Sequence, residues 1–442
     1  MSKKIGFISL GCPKNQVDGE RMLARLAADG YEICDDIDGA DAVIVNTCAF
    51  IEDAKKEAIE SILDMVSMKE DGMIGKVIVT GCLAERYKQE ILKEMPEVDA
   101  VCGLGANGDI ASIVSGLLSD NAAAEFFPPK TALPETGERL LTTPAHYAYL
   151  KIAEGCSNGC SYCVIPRIRG PFRSRPKEDV LAEAKTLASR GVRELVIVAQ
   201  DTARYGEDLY GELSLASLLR ELAKTDGIEW IRLLYCYPER ITDELLDVIA
   251  TEPKVLHYLD IPFQHADPQI LRQMGRPGSG AEYLALLEKI RACIPDVTIR
   301  TSLIAGFPGE TEEQFNALSE FVKAARFDRM GCFPYSREEG TLAYNLPDQL
   351  DEQTKLDRAQ IINEQQGIIT EMASADKIGT DQAVIVEDYD GYTDSYTGRS
   401  AADAPEIDRV VRFTTKKDLE NGEIVTVYIF DESDGDLMGV IK

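Results

Sequence analysis

The chain has 442 residues, of which 45% are hydrophobic, so it can fill more than one core and is expected to form about two to three domains. Its 76 acidic side chains outnumber its 47 basic ones, and the formal net charge of −29 disfavours a broad electrostatic grip on nucleic-acid phosphates. No stretch approaches the roughly 20 apolar residues of a membrane span, and the N-terminus runs into an apparent strand without signal-peptide anatomy. We therefore expect a cytoplasmic protein that makes no membrane contact.

Residues 1–122 alternate short apolar runs with helix-like segments and are predicted to form an N-terminal domain. Continuous β-branched runs separated by helices indicate a parallel sheet that is covered on both faces. The predicted strands are KIGFISLGC, DAVIVNTC, KVIVTGC and VDAVCG, and the predicted helices run from Asp18 to Asp29, from Glu52 to about Lys69, and onward from about Ala84.

Three cysteines of this domain, Cys12, Cys48 and Cys82, each follow the end of a predicted strand. The carboxyl ends of parallel strands meet at one edge of a sheet, where ligands usually bind, so these side chains are expected to share a metal centre. Packing in the core is the alternative, since cysteine is among the most buried residue types. Cys102 also follows a strand and could replace one of the three.

Residues 123–143 contain prolines and little periodicity, and they are predicted to be a linker. Residues 144–372 then alternate strand and helix patterns about six times, which favours a partial (β/α)6 barrel. The strands expected are HYAYLKIAEGC, ELVIVAQD, IEWIRLLYCY, VLHYLDIPFQ, VTIRTSLIAGFPG and FDRMGCFPYS, and a helix is expected from about Lys177 to Arg190.

A short loop after the first barrel strand, EGCSNGCSYC, holds Cys156, Cys160 and Cys163. Each iron of a four-iron cluster takes one external ligand, so three thiolates leave one iron open to a cofactor or substrate. Gly155 and Gly159 are expected to let the backbone wrap closely. The alternative, a zinc site, would need a fourth ligand, and none of the chain's 3 histidines lies in this loop.

The sequence GCSNGCSYC resembles the signature of the radical S-adenosylmethionine enzymes. The segments LGCPKNQVDGE, VNTCAFIEDAKKE, VIPRIRGPFRSRP and DIPFQHADPQILRQMGR are similar to those of the methylthiotransferases within that superfamily. The resemblance implies that Cys156, Cys160 and Cys163 hold a [4Fe-4S] cluster whose open iron binds S-adenosyl-L-methionine. It also implies that Cys12, Cys48 and Cys82 hold a second [4Fe-4S] cluster.

Further positions are carried over from the family as cofactor-binding residues. The backbone of Tyr162 is expected to lie against the adenine of the cofactor. In SLIAGFPGET, Gly306 and Glu310 resemble a later cofactor-contacting strand and turn, and Gln200 and Arg300 are expected to line the pocket. A purely structural role is the alternative for each of them, and for Arg300 it would be an ion pair with an acid.

Residues 375–442 alternate in strand fashion between Gly and Asp turns, which predicts a small antiparallel β-barrel. The resemblance implies that this is a TRAM domain with an OB-like barrel. Residues 376–442 carry 16 acidic and 7 basic side chains, a balance that suits a basic protein partner better than phosphates.

The segments LGCPKN and GRSAADAPEID resemble the family branch that modifies an aspartate of ribosomal protein S-twelve of the small subunit. This resemblance implies that two S-adenosylmethionine molecules serve as methyl donor and radical source for methylthiolation of the aspartate β-carbon. It further implies that the ribosomal protein, free or in the ribosome, is the substrate, and that a flavodoxin or ferredoxin supplies electrons. The alternatives are methylthiolation of a modified adenosine beside the tRNA anticodon and a non-catalytic iron-sulfur protein.

Overall fold

A computed structural model describes residues 2–120, 124–133, 135–433 and 435–441. Two six-stranded sheets, a small closed barrel and a two-stranded ribbon carry the fold, and the predicted α/β class is confirmed. No helix among the described residues is both long and apolar enough to cross a membrane.

The N-terminal sheet is parallel throughout, and its spatial order is β2-β1-β3-β4-β5-β6. Its central strand β3 is buried at every position, because helices cover both faces as predicted. The strands are β1 (Lys4–Ser9), β2 (Glu32–Cys34), β3 (Ala42–Thr47), β4 (Lys76–Gly81), β5 (Ala100–Cys102) and β6 (Ala124–Phe126).

The helices of this domain begin and end close to the predicted positions, with two differences. The first begins at Pro13 rather than Asp18, because proline at the first helical turn already has the helical φ and leaves no hydrogen bond unmade. The helix predicted from Ala84 is divided at Lys88, which has a φ of 44°. The helices are α1 (Pro13–Ala28), α2 (Glu52–Glu70), α3 (Cys82–Tyr87), α4 (Gln89–Glu94) and α5 (Ile110–Asp120).

The segment predicted as a linker is packed rather than loose over its described residues. Its β6 pairs with β5 and extends the N-terminal sheet. Arg139, only 4% exposed, forms ion pairs with Glu20 at 2.5 Å and Glu183 at 2.6 Å. Pairing with the edge of β5 and the ion pairs of Arg139 with Glu20 and Glu183 therefore hold this connection in place. Residues 123 and 134 of the predicted linker lie outside the described part of the chain.

Six parallel strands form the predicted partial barrel, in the order β14-β13-β12-β11-β10-β7. The strands are β7 (Tyr147–Lys151), β10 (Glu194–Val198), β11 (Trp230–Leu233), β12 (Val255–Asp260), β13 (Thr298–Ala305) and β14 (Arg329–Pro334), with a ribbon of β8 (Ala153–Glu154) and β9 (Arg173–Ser174) beside them. The helices are α6 (Ile165–Arg169), α7 (Lys177–Ser189), α8 (Glu207–Tyr210), α9 (Leu215–Leu222), α10 (Asp243–Thr251), α11 (Pro268–Gln273), α12 (Gly280–Cys293), α13 (Glu312–Ala325) and α14 (Glu352–Ala375).

The C-terminal strands close into a five-stranded barrel in the order β15-β16-β17-β19-β18. The expectation of an antiparallel barrel holds for four pairs, whereas β17 and β19 pair in parallel and so close the barrel. The strands are β15 (Asp381–Asp390), β16 (Ser395–Ser400), β17 (Val411–Thr414), β18 (Ile424–Ser433) and β19 (Asp436–Val440).

The end of β16 and the loop that follows it, residues 399–408 of the C-terminal domain, cover the amino-terminal mouth of the partial barrel. Glu194, which begins β10, pairs with Arg399 of β16 at 2.6 Å and with Arg232 of β11 at 2.7 Å. The loop's other contacts are Glu406 with the hydroxyls of Tyr147 and Tyr149, Asp408 with that of Tyr258, and Asp403 with Arg329. The opposite mouth, where the strands end, is left for the cysteine loop.

The substitution Glu194→Gln is expected to destabilise the protein by about 3 kcal/mol at neutral pH. Burial alone would raise the pKa of the Glu194 carboxyl, but the Arg399 and Arg232 guanidinium groups lower it to about 2. The lowered pKa stabilises the fold above the ordinary value of 4.5, and this contribution is lost as the pH falls from there towards about 2. Urea unfolding of the wild type and the variant at several pH values measures this contribution to the free energy of unfolding.

The matched control is Glu229→Gln, which removes the exposed partner of Arg193. It should change the free energy of unfolding by no more than about 0.5 kcal/mol. Equal effects of the two substitutions at neutral pH, or a Glu194→Gln effect that does not shrink in acid, would contradict the assignment.

Candidate iron-sulfur and cofactor site

The loop that carries Cys156, Cys160 and Cys163 lies at the carboxyl-terminal mouth of the partial barrel, directly after β7 and β8. All three thiols are free. The backbone N–H of Asn158 donates to the Sγ of Cys156 at 3.4 Å, and the Sγ of Cys160 lies 3.5 Å from the hydroxyl of Tyr237. The loop is therefore packed against the segment that follows β11.

Gly155 allows the backbone to approach itself at the start of this loop. Its φ is +71°, and an added Cβ would lie 2.2 Å from the carbonyl oxygen of Pro171. The sequence predicted the same need at Gly159, but there an added Cβ meets nothing within 4 Å among the described residues. The structure thus gives a steric reason for glycine at the first position only.

Under the resemblance to radical S-adenosylmethionine enzymes, we expect Gly155→Ala to lower cleavage of S-adenosylmethionine about 100-fold, the loss typical of a 1 Å displacement at a reacting centre. The clash would push the loop outward and separate its cysteines, so the bound iron should fall as well. Gly159→Ala is the matched control and should keep both iron and cleavage. Iron quantification and chromatography of the cleavage product test this, and equal behaviour of the two variants would refute it.

The cysteines Cys12, Cys48 and Cys82 lie at one edge of the N-terminal sheet, immediately past β1, β3 and β4. A Cβ added at Gly11 would stand 3.1 Å from the Sγ of Cys48, which shows how closely the first two turns approach. Burial raises the pKa of the Cys82 thiol to about 12. Burial also acts on Cys12, yet the charges of Lys14 and Arg169 outweigh it and lower its pKa.

Cys102 lies apart from this trio. Its side chain is fully buried in the cluster that contains Ile110 and Val114 of α5, whereas Cys82 packs in the cluster on the other face of the sheet. Burial alone raises the pKa of the Cys102 thiol to about 12. Cys102 is therefore a core residue and does not replace a member of the trio.

Arg169, at the end of α6, connects the loop of Cys156, Cys160 and Cys163 to the N-terminal trio. Its Nη2 donates to the Sγ of Cys82 at 3.5 Å, and its Nη1 donates to Asp18 at 2.9 Å and Glu154 at 3.0 Å. Lys151 forms ion pairs with the same two acids, and all four side chains are at most 1% exposed. This buried quartet joins α1 of the N-terminal domain to the barrel.

Buried polar atoms near the cysteine loop have no hydrogen-bond partner within the described residues. They are the Oε1 of Gln200, the Oδ1 of Asp201 and the Nε of Arg276. Arg276 also stacks its guanidinium 4.1 Å from the centre of the Tyr237 ring. Buried polar groups are nearly always satisfied, so this surface fits a polar ligand such as the amino-acid cofactor that the resemblance implies.

The other residues carried over from the family occupy three different surroundings. Tyr162 packs beside Met274 and Phe307, next to the cysteine loop. The Glu310 carboxylate accepts hydrogen bonds from the N–H of Gly306 and from Arg358 and His265, so protein donors already occupy it. Arg300 pairs with Asp260 at 2.9 Å and faces Asp408 of the C-terminal domain. Cofactor binding by these residues stays a prediction.

The sequence did not single out two cationic side chains of the site, although both lie in motifs that resemble the family. Arg169 belongs to VIPRIRG, and Lys14 of LGCPKN places its Nζ 3.4 Å from the centre of the Tyr235 ring. Among the described residues, no three His, Cys, Asp or Glu side chains converge on one metal ion. In an iron-sulfur cluster each iron takes one cysteine thiolate, so the cysteine side chains lie around the cluster and need not meet at a single metal ion.

Family models cover most of the chain. The Uncharacterized protein family UPF0004 matches residues 4–103, the Radical SAM superfamily matches residues 150–322, and the TRAM domain matches residues 378–441. These ranges contain five of the six strands of the N-terminal sheet, most of the partial barrel and the closed barrel.

Relatives that align along the whole chain identify the family more specifically than the models of single domains. A Geobacter sulfurreducens protein named ribosomal protein uS12 methylthiotransferase RimO is 49% identical over 99% of this chain and 98% of its own length. A protein of the same name from Clostridioides difficile is 46% identical over 99% and 98%. Among solved structures, the radical S-adenosylmethionine methyltransferase TsrM of Kitasatospora setae has a TM-score of 0.54 at 16% identity, covering 76% of this chain and 77% of that one, and it shows the fold alone.

Proposed function

The chain belongs to the radical S-adenosylmethionine methylthiotransferase family of these relatives, and we propose that its substrate is an aspartate of ribosomal protein uS12, methylthiolated at the β-carbon. As a member of this family it is an enzyme that uses S-adenosylmethionine and a [4Fe-4S] cluster. The observation that carries the proposed substrate is the near-complete coverage of relatives named for uS12, at 46–49% identity.

Cys156, Cys160 and Cys163 are the residues proposed to hold the radical cluster. The buried Gln200, Asp201 and Arg276 atoms without partners support a cofactor position beside them. When bound, the cofactor supplies the radical that removes a hydrogen atom from an unactivated carbon, a step beyond ordinary acid-base side chains. The protein's part is to orient the cofactor and to exclude water from the barrel mouth.

Cys12, Cys48 and Cys82 are proposed to hold a second [4Fe-4S] cluster, at which sulfur is methylated. Their common position at the sheet edge supports this, and so does the Arg169 guanidinium, which favours negative charge on the sulfurs beside it. Because α6 runs from the radical loop to this trio, both clusters would face one substrate space.

The partners proposed are a basic ribosomal protein, free or in the ribosome, and an electron donor such as a flavodoxin or ferredoxin, in the cytoplasm. The net charge of −29 supports attraction of a basic protein. The acidic C-terminal domain, with 16 acids against 7 bases over residues 376–442, argues against the alternative tRNA substrate, whose binding would need phosphate neutralisation.

The test is to incubate the anaerobically reconstituted enzyme, with S-adenosylmethionine, sulfide and a reductant, with either uS12 or bulk tRNA. Mass spectrometry should find the methylthio group on one aspartate of uS12 and none on tRNA. Modified tRNA together with unmodified uS12 would reject the proposed substrate while leaving the family assignment intact.

A further inference from the structure

Lys14 stands between the two cysteine trios. It is the second residue of α1 and lies two positions after Cys12, and its side chain reaches the Tyr235 ring beyond the end of β11, at the barrel mouth. Two residues further on, the hydroxyl of Tyr237 lies 3.5 Å from the Sγ of Cys160. One short segment thus contacts Lys14 on one side and the radical loop on the other.

Among the described residues no aspartate or glutamate forms an ion pair with Lys14, whose Nζ lies against the Tyr235 ring instead. Lys14 is 7% exposed, and Tyr235, Cys12 and Arg169 are among the groups that act on its charge. By contrast, the equally buried Lys151 and Arg169 each pair with two carboxylates. A buried ammonium is stabilised by a hydrogen-bonded anion, and the carboxylate of an incoming substrate would supply one at Lys14.

The backbone at Tyr235 is held in an unfavourable conformation to present this ring. Its φ is +62°, which is unusual for a residue other than glycine. The N–H of Tyr235 donates to the Asp260 carboxylate at 3.0 Å, and the carbonyl oxygen of Tyr235 accepts the N–H of Thr202 at 3.0 Å. Such enforced conformations concentrate at ligand sites, which supports a functional position for the ring and for the ammonium above it.

We propose that the Lys14 ammonium binds the side-chain carboxylate of the target aspartate and thereby selects aspartate as the substrate residue. This inference rests on the proposed function. In an aspartate the β-carbon is bonded directly to the carboxylate carbon, so an ion pair at the carboxylate also fixes the position of the β-hydrogen that must be removed. Lys14 is then both a specificity-determining and a positioning residue.

The experiment compares the reconstituted wild-type enzyme with Lys14→Met, using uS12 peptides that carry either the target aspartate or asparagine in its place. Without reductant, fluorescence anisotropy measures binding alone. The wild type should bind the aspartate peptide about 10- to 100-fold more tightly, as expected for a charge-assisted hydrogen bond. Lys14→Met should bind both peptides alike, and Lys14→Arg should restore part of the preference.

Lys289→Met, which removes an exposed charge on α12, is the matched control and should keep the wild-type preference. A Lys14→Met enzyme that still prefers aspartate would overturn the inference. So would a loss of bound iron in that variant, since Lys14 would then serve the cluster. If the wild type methylthiolates neither uS12 nor the aspartate peptide, the proposed function itself fails, and the inference falls with it.

Discussion

Replacement of Cys160 by alanine is expected to abolish formation of 5′-deoxyadenosine from S-adenosylmethionine and to reduce bound iron from about eight to about four atoms per chain. The physical reason is that the proposed radical cluster has only three cysteine ligands, so the loss of one leaves two irons without a protein ligand. The measurement is chromatography of the nucleoside after anaerobic reduction, with iron quantification on the same sample.

Two comparisons make this result specific. Cys293→Ala, at the exposed end of α12, should keep all the iron and the full cleavage rate. Cys48→Ala should also retain about four irons, yet it should still cleave the cofactor while failing to methylthiolate uS12. Full cleavage by Cys160→Ala would reject the radical loop, and about eight irons in Cys48→Ala would reject the proposed second cluster.

The sequence was sufficient for the fold wherever hydrophobic patterning dominates. The buried β-branched runs at β3, β4 and β10 identify central parallel strands, because both faces of those strands are covered. The edge strands β2 and β6 escaped prediction, since each has only three residues and is defined by pairing with a neighbour. The start of α1 was missed for a local reason, the preference of Pro13 for a first helical turn.

The candidate site was predictable to the extent that its chemistry is local or lies at strand ends. The C-x3-C-x2-C loop is a contiguous motif, and Cys12, Cys48 and Cys82 follow from the rule that parallel strands end at one edge. The contacts of Lys14 with Tyr235 and of Arg169 with Cys82 join residues far apart in sequence. No periodicity encodes such pairs, because they arise only when the two domains pack together.

Glu310 illustrates the opposite case, in which a resemblance indicates importance but not the kind of role. Its carboxylate lies among the Gly306 N–H, Arg358 and His265. The N–H of Asp267 donates to Nδ1 of His265 at 3.0 Å, so Nε2 is the ring nitrogen that donates to Glu310. These contacts brace the turn after β13, whereas Gln200 keeps a buried oxygen available for a ligand.

Arg169→Met should destabilise the protein by about 3 to 5 kcal/mol, the cost typical of breaking a buried ion pair by removing one partner. In the intact quartet, the charges of Lys151 and Arg169 balance those of Asp18 and Glu154. Without the guanidinium, two buried carboxylates share one ammonium, and Cys82 loses its donor. Urea unfolding followed by circular dichroism measures the loss.

Two further variants separate charge from geometry in this network. Arg169→Lys retains the charge but not the planar fork that reaches Asp18, Glu154 and Cys82 together, so its stability should fall between those of the wild type and Arg169→Met. Arg220→Met removes an arginine that is 38% exposed and pairs with Glu244 and Asp247, and it should leave the stability almost unchanged because solvent screens exposed ion pairs. Since the quartet joins α1 to the barrel, Arg169→Met should also weaken iron binding at Cys12, Cys48 and Cys82 more than at the radical loop. A variant as stable as Arg220→Met, with its iron intact, would show that the interface between the two domains does not depend on this network.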